Sequence, residues 1–559
     1  ICSIAHWRAT TMLKSKLAYP GLLAWQYVAR LALRRFRSRL AAGPTVNRSA
    51  LLDILKGSQN TAIGQRLGFS AILSAPDPES AYRQAVPVGD YSAFEEPIQA
   101  IAKGAANQLF PGEPRLFVAT SGTSADPKLL PMTNRAQQIY LRYIALLVPA
   151  MRMEAAPDLR PGQRSINLML ASNPGNRLPG GKPLGMSSAG GVRRVLWAAP
   201  FVWTSPAAVF ELIRHSAALY LHALFALRDQ SAGCIEAIFG SHIVSWMSLI
   251  LERQDDLLDD IAQGTINPDL ELSDEQRRAL EKHLSPDPAR AKQLEQVFSQ
   301  GEAGIIPRLW PEMRVLSTVV SGAFAVSLPR LKRMAGDRIA IYTTCFGATE
   351  SLVGINLWPD SPERYALALG AAYYEFLPLA EVGVESPQVL GIGELQVGER
   401  YEVVVTTYAG LYRYRLGDVV RMTGHTGRTP VIEFDHRVGT VLDLAGEKTT
   451  EQHTRQAVLE FAGEALGSPA AISNYSVRGD LSVTPYRYLV YLELADERQA
   501  RQQDCGKLAE LFDRCLQSVN LSYKTLARAN NRLAPASIKL VGNGSFHALE
   551  EHLYANNPG

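Results

Sequence analysis

"FVATSGTSADPKLLPMT" occupies residues 117–133 and sets a glycine, a cluster of hydroxyl side chains and a lysine between an apolar strand and a predicted helix. Gly122 lets the backbone approach an anion closely, successive N–H groups can form a nest around it, and Lys128 adds a positive charge. The stretch is not a Walker A loop, because Pro127 stands where that motif requires a second glycine. Alone it predicts either a phosphate-holding loop or a polar connection.

A second stretch, "YTTCFGATESLVGINL" (342–357), follows a predicted strand. Phe346 offers a flat face for a base, and Thr349 offers a hydroxyl. Glu350 offers a carboxylate oxygen of the kind that Mg²⁺ prefers beside phosphates. The alternative interpretation is a strand end with a buried phenylalanine and a Thr-Glu pair that begins a helix.

A third stretch, "YRYRLGDVVRMTG" (412–424), places Asp418 directly after a glycine at a predicted tight turn. Its carboxylate can accept hydrogen bonds from two vicinal ribose hydroxyls. Ordinary turn chemistry explains a Gly-Asp pair equally well. Each of the three stretches is therefore a weak signal when taken by itself.

Alternating strand and helix patterns predict an α/β fold with a largely parallel core. The long helical patterns lie at 134–152 and 242–263, the second ending at Gly264, and a capping box is predicted at Ser273 and Gln276. The strand candidates are "RLFVATS" (115–121), "RSINLML" (164–170), "MRVLSTVV" (313–320) and "RIAIYTT" (338–344).

The pattern of predicted helices and strands changes toward the C-terminus. Residues 400–424 predict antiparallel strands joined at Ala409-Gly410. A smaller α+β unit follows, with helices predicted at 451–466 and 503–520 and strands at 487–494 and 537–542. We therefore predict a large domain at 1–435 and a small one at 436–559.

Composition restricts the functional classes. Hydrophobic residues make up 47% of the 559-residue chain and charged residues 20%, an ordinary globular mixture. The net charge of +3 is small and no basic stripe runs through a motif, so we expect no nucleic-acid partner, and either a monomer or a dimer. No apolar run reaches the length of a membrane span. The five cysteines are scattered without a CxxC pair, which argues against disulfides and zinc and favours a cytoplasmic location.

The pattern "WQYVARLALRRFRSRL" (25–40) predicts a basic amphipathic helix. Such a helix either lies on a membrane surface or packs on the protein with its arginines in solvent.

The three stretches in this order, with Arg437 after them, resemble the core motifs of the adenylate-forming superfamily of acyl-CoA synthetases, adenylation domains and luciferases. More specifically, the chain resembles the Gretchen Hagen 3 family of acyl acid amido synthetases, which conjugate auxin or jasmonate to amino acids. The resemblance runs from about residue 50 to the end. Further matching phrases lie at 86–104, 309–337, 406–424 and 536–553.

The resemblance implies a nucleotide site. Phe346, where relatives usually carry tyrosine, would stack on adenine, and the backbone of Gly322 and Ala323 would complete the adenine pocket. The ATP phosphates would be held by Thr120, Ser121, Gly122, Thr123 and Ser124.

The remaining implied residues act on the phosphates and the ribose. Thr349 would lie against the phosphate, Glu350 would bind Mg²⁺, and Asp418 would hold the ribose. Arg437 and Lys448 would approach the nucleotide from the domain junction. Glu350 and Lys448 are the predicted catalytic residues, and ATP and Mg²⁺ are the predicted cofactors.

The implied fold is α/β, with a large adenylate-forming domain of mixed sheets, helices and a β-barrel-like part, and a small mobile α+β domain. The implied function is a ligase that activates a small carboxylic acid as acyl-AMP, releases pyrophosphate and forms an amide with an amine. The resemblance implies that this amine is an amino acid. Two alternatives stay open: transfer of the acyl group to a thiol of coenzyme A or a carrier protein, and a degenerate protein that only binds nucleotide or acid. The sequence names neither the acid nor the amine.

Two departures from the family pattern bear on activity. Ala125 replaces the second glycine of the usual TSGTTGxPK loop. The family also carries a lysine in a segment that resembles QxKxPR, and the sequence stops at "YANNPG" (554–559) before it. We expect either that the sequence is truncated or that adenylation is impaired.

Overall fold

The structure is a computed structural model of the chain. It describes all residues except 1, 120–127, 170–176, 179–180, 186–191, 194, 213–214, 323–326, 383, 385–386, 439–441, 443, 445–446, 448, 481, 484, 497–503, 529–531 and 557–559, and leaves the side chains of 2–19 undescribed. The chain divides into two compact units. The first comprises Ile1–Ile213 and Tyr342–Phe434, and the second comprises Arg214–Ile341 and Asp435–Asn557.

An eight-stranded sheet dominates the first unit. Its described registers are antiparallel, as where Tyr374 lies opposite Val405 and Val404 opposite Arg415. The antiparallel strands predicted within 400–424, with their connection at Ala409-Gly410, are confirmed. The strands of this sheet follow one another through turns and loops rather than helical crossovers, which is typical of antiparallel pairing. Its strands, in spatial order, are Leu390–Gly391, Ala372–Pro378, Arg400–Thr407, Tyr414–Thr426, Thr429–Arg437, Arg364–Leu367, Leu352–Ile355 and Cys345–Gly347.

A three-stranded sheet and a layer of helices complete the first unit. The sheet consists of Leu129–Met132, Leu116–Ala119 and Leu184–Gly185, and the strand Ser165–Asn167 also belongs to this part of the chain. The helices are Cys2–Leu40, Gly43–Ser58, Ala62–Arg66, Phe69–Ser74, Pro78–Ala85, Ser92–Ala102, Asn134–Arg142, Val148–Ala155, Ala199–Val202 and Ala207–Phe210, with 3-10 turns at Leu196–Ala198 and Leu379–Glu381.

The basic N-terminal helix packs on the first unit. Leu33, Phe36 and Leu40 are buried at helical spacing, and the Phe36 ring meets that of Tyr143 edge-on at 5.8 Å between centroids. Arg37 forms an ion pair with Glu154 at 2.7 Å. The packed alternative is therefore the one observed. Within the described residues, no helix is both long enough and apolar enough to span a bilayer.

The helical pattern predicted at 134–152 is confirmed, with one irregularity. A π-helical turn, Tyr143–Leu147, joins the helices Asn134–Arg142 and Val148–Ala155. Such a turn inserts one extra residue into the helix and is common near functional sites.

The second unit combines a parallel strand pair with many helices. Cys234–Phe239 runs parallel to Val315–Val319, and Ala340–Tyr342 is a further strand. The helix predicted at 242–263 is interrupted at Arg253, whereas the Gly264 end and the Ser273 capping box are confirmed. The helices of this part are His215–Arg228, Gly240–Glu252, Gln254–Gln263, Asp274–Glu281, Pro288–Phe298, Ile305–Leu309 and Leu328–Ala335.

The C-terminal part of the second unit has a core of its own. Phe461, Tyr488 and Phe512 are fully buried in it, and its residues all come from within this part of the chain. The predicted helix at 451–466 is confirmed, and the other predicted elements agree within two residues. The elements are Glu451–Leu466, Pro469–Ala471 (3-10), Ile472–Asp480, Arg487–Leu494, Cys505–Val519, Tyr523–Arg528 (π-helical), Ser537–Val541 and Ser545–Asn556.

A histidine completes the capping box of the helix Glu451–Leu466. The hydroxyl of Thr450 accepts from the His453 N–H at 3.2 Å, and Nδ1 of His453 accepts from the Thr450 N–H at 3.3 Å. Nδ1 accepts only when it is unprotonated. Burial, and then the neighbouring His436, lower the pKa of His453 from its ordinary 6.5. The neutral ring is therefore the form that stabilises this helix.

We expect the stability of this helix to depend on pH through His453. A base with a lowered folded-state pKa contributes stability that is present above pH 6.5 and is lost as pH falls below it. Between pH 7 and pH 5, the free energy of unfolding of the wild-type protein should fall by about 1 kcal/mol through His453. His453→Gln should not show this fall. Urea denaturation checks this, with the exposed His425→Gln as control. An unchanged pH slope in His453→Gln would contradict it.

Candidate active site

Three predicted site residues lie on one strand and the turn that follows it in the first unit. The turn connects the antiparallel strands Cys345–Gly347 and Leu352–Ile355, and its Ala348 N–H donates to the Ser351 carbonyl at 2.8 Å. No helix begins at Thr349, so the helix-start interpretation is wrong. The turn brings Phe346, Thr349 and Glu350 to one end of these two strands.

Two other aromatic rings fix the orientation of Phe346. Its centroid lies 5.6 Å from that of Phe434, edge-on, and 5.8 Å from that of Tyr365 at a tilt. Phe346 is half-buried, so part of its ring remains accessible. Edge contacts leave the face of a ring available for stacking. The predicted contact with adenine is compatible with this arrangement and stays a prediction.

Glu350 lies at the wall of a small cavity beside a tyrosine. The hydroxyl of Tyr414 donates to Oε1 of Glu350 at 3.3 Å, and Tyr414 itself is buried. The cavity has a volume of about 50 Å³ and combines Thr349 and Glu350 with apolar side chains such as Leu130 and Ile139. The tyrosine therefore orients a half-buried carboxylate at the edge of an apolar recess.

The residues around Glu350 fit a magnesium ion held jointly with a substrate. Within the described residues, no group of three or more histidine, cysteine or acidic side chains forms a self-contained metal site. Mg²⁺ commonly binds proteins through one or two carboxylates together with substrate phosphates and water. Tyr414 uses one acceptor position of Glu350, and a carboxylate offers about four.

Asp418 lies in a β-bulge rather than in the tight turn that we predicted. Glu402 pairs with Val419 and Val404 pairs with Arg415, so the strand Tyr414–Thr426 carries extra residues opposite its neighbour. Gly417 supplies the positive φ, +77°, that the bulge requires. Bulges redirect side chains, and this one sets the orientation of Asp418, which is 5% exposed.

One buried carboxylate holds the bulge. Glu402 accepts from the Arg415 guanidinium at 2.6 Å and 3.0 Å, and its Oε1 also accepts from the Gly417 N–H at 3.2 Å. Glu402 is 1% exposed. Glu402 therefore forms hydrogen bonds to the residues on both sides of Leu416, close to Asp418.

We expect Glu402→Gln to weaken ATP binding by disturbing Asp418. Loss of charge-assisted hydrogen bonds to Arg415 should raise the KM for ATP about tenfold while kcat changes little. Steady-state kinetics check this. The matched control is Glu433→Gln. It removes the ion pair between Glu433 and Arg421, which is more exposed than the pair between Glu402 and Arg415. Arg421 lies on the same strand as Arg415. An unchanged KM in Glu402→Gln would show that the bulge does not position the ribose contact.

The predicted phosphate loop itself, with Thr120, Ser121, Gly122, Thr123 and Ser124, lies outside the described residues. Its flanks are a strand pair, Leu116–Ala119 and Leu129–Met132, which is antiparallel. The short strand Leu129–Met132 lies between the loop and the helix, which begins at Asn134 after the Thr133 cap, as predicted. Lys128, next to the loop, lies 5.5 Å from the centroid of the Tyr91 ring.

The remaining predicted residues belong to the second unit. The carbonyl of Gly322 accepts from Nη1 of Arg455 at 2.8 Å, and Gly322 has a φ of +62°. Arg437 is exposed at the end of the strand Thr429–Arg437. Ala323 and Lys448 lie outside the described residues. The predicted contacts of all four residues with the nucleotide stay predictions.

Two residues that support the site, Tyr414 and Glu402, were not predicted from the sequence. Tyr414 stands at the head of the "YRLGD" motif, so its position in that motif was a usable signal. Glu402 gave a weaker one, as an acidic residue inside the apolar strand "RYEVVVTT". A charge in such a strand requires a partner, but the sequence does not identify Arg415 as that partner.

Three family models match the chain in succession. They are the GH3 family N-terminal domain at residues 32–340, the GH3 family central domain at 365–437 and the GH3 family C-terminal domain at 452–558.

Curated proteins and solved structures agree with these matches. An indole-3-acetic acid-amido synthetase, GH3.3 of Arabidopsis thaliana, is 28% identical over 91% of this chain and 86% of its own length. The enzyme GH3.8 of Oryza sativa subsp. indica is 29% identical over 88% and 85%. The structure of the GH3.15 acyl acid amido synthetase has a TM-score of 0.81 at 22% identity, covering 94% of this chain and 92% of its own. A 2-hydroxyisobutyryl-CoA ligase in complex with an acyl-AMP has a TM-score of 0.54 at 12% identity, covering 92% of each chain.

Proposed function

The chain belongs to the GH3 family, and from this premise we propose that it is an ATP-dependent acyl acid amido synthetase. The observation that carries the proposal is the arrangement in the first unit, where Phe346 at the end of one strand and Thr349 and Glu350 in the following turn lie together, and Tyr414 of the "YRLGD" strand orients Glu350. An adenylate-forming site needs an aromatic face, a hard carboxylate and a ribose acceptor, which Phe346, Glu350 and Asp418 would supply.

The proposed reaction has two steps. A carboxylate oxygen of the acid attacks the α-phosphorus of ATP, an acyl-phosphate bond forms, and pyrophosphate leaves. The amine nitrogen then attacks the acyl carbon, an amide bond forms, AMP leaves and the amine gives up a proton. Neither step needs a covalent bond to the protein, so the catalysis consists of positioning and charge stabilisation.

Each side chain has a role in that positioning. Phe346 would hold the base, and Asp418 in its bulge would hold the ribose. The hydroxyls and N–H groups of residues 120–124 would bind the phosphates, with Thr349 beside them. Glu350 would hold Mg²⁺, which when bound neutralises phosphate charge. ATP use follows from the fold, and the magnesium ion is part of the proposal.

We also propose domains at 1–435 and 436–559, with residues 435–450 as a hinge. The separate hydrophobic core around Phe461 and Phe512 supports a small domain that keeps its structure while it moves. Rotation between the half-reactions would bring Lys448 and Arg437 to the nucleotide for adenylation and withdraw them before amide formation.

The substrates proposed are a small carboxylic acid and an amino acid. Relatives named as indole-3-acetic acid-amido synthetases make indolyl and aryl acids the first class to test. A cytoplasmic location is proposed from the cysteines, since the four that the structure describes, Cys234, Cys345, Cys505 and Cys515, are free thiols.

Acid-dependent exchange of label between pyrophosphate and ATP tests the first step. Indolyl, aryl and fatty acids are supplied one at a time, with ATP and Mg²⁺. We expect one class to stimulate exchange above the level without acid. ATP binding without exchange for any acid would contradict the proposal and favour a protein that only binds nucleotide.

A further inference from the structure

A second, larger cavity in the first unit has a strongly basic lining. It has a volume of about 630 Å³ and lies among the helices Cys2–Leu40, Gly43–Ser58 and Asn134–Arg142. One lining residue, Asp53, is acidic, and the basic lining residues are Arg35, Arg39, Lys56, Arg135 and Arg142. The lining thus carries more net positive charge than the whole chain, whose formal charge is +3. The cations are concentrated here rather than distributed evenly.

Four of these five cations have no ion-pair partner among the residues that the structure describes. Asp53 is engaged by Arg135 at 3.1 Å and by the Tyr408 hydroxyl at 3.1 Å. In the part of the chain that the structure describes, no hydrogen bond or ion pair engages the side chains of the other four, Arg35, Arg39, Lys56 and Arg142. Like charges gathered around one cavity repel one another and lower the stability of the fold unless an anion joins them.

Apolar side chains form part of the remaining lining, which also includes the polar Ser49 and Gln138. Phe36 and Tyr143 pack edge-on at 5.8 Å, and the Tyr143 hydroxyl donates to the Leu369 carbonyl at 2.6 Å. Leu147 and Ile139 complete this apolar part. The volume falls within the range of small-molecule sites, about 300–1,000 Å³. A concave cavity with an apolar floor and a basic rim suits a small ligand better than a long polymer, which needs an extended basic stripe.

We propose that this basic cavity binds a small organic polyphosphate. Four uncompensated cations require several negative charges on one ligand, whereas a monocarboxylic acid supplies one. Guanidinium groups bind phosphate oxygens in bidentate fashion, and three of the four are arginines. The site is distinct from the cavity at Glu350, although Ile139 and Tyr408 contribute to the lining of both. It does not depend on the function proposed above.

Isothermal titration of the full chain with inositol hexakisphosphate, in magnesium-free buffer, tests the proposal. Wild type should bind it, and more weakly as salt increases, because the contacts are ionic. The double variant Arg39→Gln/Arg142→Gln should raise the Kd about 30-fold, since it removes two charge-assisted contacts. The control, Arg278→Gln/Arg338→Gln, removes two exposed arginines that line neither of these two cavities and should bind as wild type does.

Thermal unfolding of the same proteins without ligand distinguishes a binding role from a structural one. If the two arginines serve only stability, the cavity variant will melt at a lower temperature than wild type. We expect an equal or higher Tm, because removal of like charges relieves repulsion. Co-sedimentation with anionic lipid vesicles measures binding to the alternative ligand. Four results would overturn the proposal: no binding by wild type, equal binding by the cavity variant, a lower Tm for that variant, or binding confined to the vesicles. None of them bears on acid-dependent exchange.

Discussion

Glu350→Gln is expected to reduce acid-dependent ATP–pyrophosphate exchange by about 10²–10³-fold, the usual effect of removing one group that stabilises developing charge. The amide keeps the shape of the side chain and its contact with Tyr414 but loses the negative charge that a cation beside phosphates requires. Initial exchange rates at saturating acid and ATP measure the effect. Thermal unfolding should show little change, because Glu350 is only half-buried.

Tyr414→Phe is the graded comparison for that variant. It removes the hydroxyl that orients Glu350 but leaves the carboxylate, so exchange should fall about tenfold, as for the loss of one hydrogen bond to a charged group. The order of the two effects is the informative result. Full exchange in Glu350→Gln would contradict the role of Glu350, and an equal loss in both variants would mean that Tyr414 does more than orient it.

The second large effect is expected on stability. Arg413→Met should lower the free energy of unfolding by about 3–5 kcal/mol, because the buried Glu375 carboxylate is then left with the longer contact to Nε of Arg83, at 3.7 Å. Arg413 contacts the Glu375 carboxylate at 3.1 Å and donates to the carbonyls of Arg83 and Val86 at 2.7 Å. Glu375 is fully buried, and burial raises its pKa despite Arg413. Urea denaturation measures the loss.

The pH dependence of this variant follows from Glu375. A carboxyl group with a raised folded-state pKa contributes stability below its ordinary pKa and loses it as pH rises. Removal of Arg413 raises that pKa further, so Arg413→Met should lose more of its free energy of unfolding at pH 8 than at pH 5. The double variant Arg413→Met/Glu375→Met should recover part of the stability, because the buried carboxylate that lacked its main partner is then also absent. A defect independent of pH and of Glu375 would contradict this explanation.

The same ion pair connects stability to the site. Arg413 has a positive φ of +47°, which is strained for a residue other than glycine. Its carbonyl accepts from the Gly89 N–H at 3.1 Å, and the Gly89 carbonyl accepts from the Arg415 N–H at 2.8 Å. Tyr414 lies between these two anchored arginines. The buried pair thus holds the strand segment from which Tyr414 reaches Glu350.

Features that depend on neighbouring residues were predictable from the sequence. The helix Glu451–Leu466 was predicted with its exact bounds, since Thr450 caps its start and Gly467, in the left-handed region, ends it. The capping box at Ser273 and Gln276 is also local, because its partners are three residues apart. Because caps and terminal glycines act within one turn of a helix, they can be recognised directly in the sequence.

Features that depend on distant partners were not predictable. Gly417-Asp418 resembles a turn, and only the register against Glu402 makes it a bulge. The contact between Tyr414 and Glu350 joins residues 64 positions apart. The helix expected at 242–263 is interrupted at Arg253, although its apolar pattern continues on both sides. The motifs identified Phe346, Glu350 and Asp418 as candidates, but the side chains that support them follow from strand pairing.

The most direct test of the central claim is the identity of the product. The chain is supplied with an acid that supports exchange, ATP and Mg²⁺, and with a mixture of amino acids and coenzyme A at equal concentrations; mass spectrometry then reads all acyl products. We predict an amide, with the mass of acid plus amino acid minus water, one AMP per amide, and a rate of product formation about 10²–10³-fold lower in Glu350→Gln. A thioester of coenzyme A, or AMP release without any amide, would contradict it.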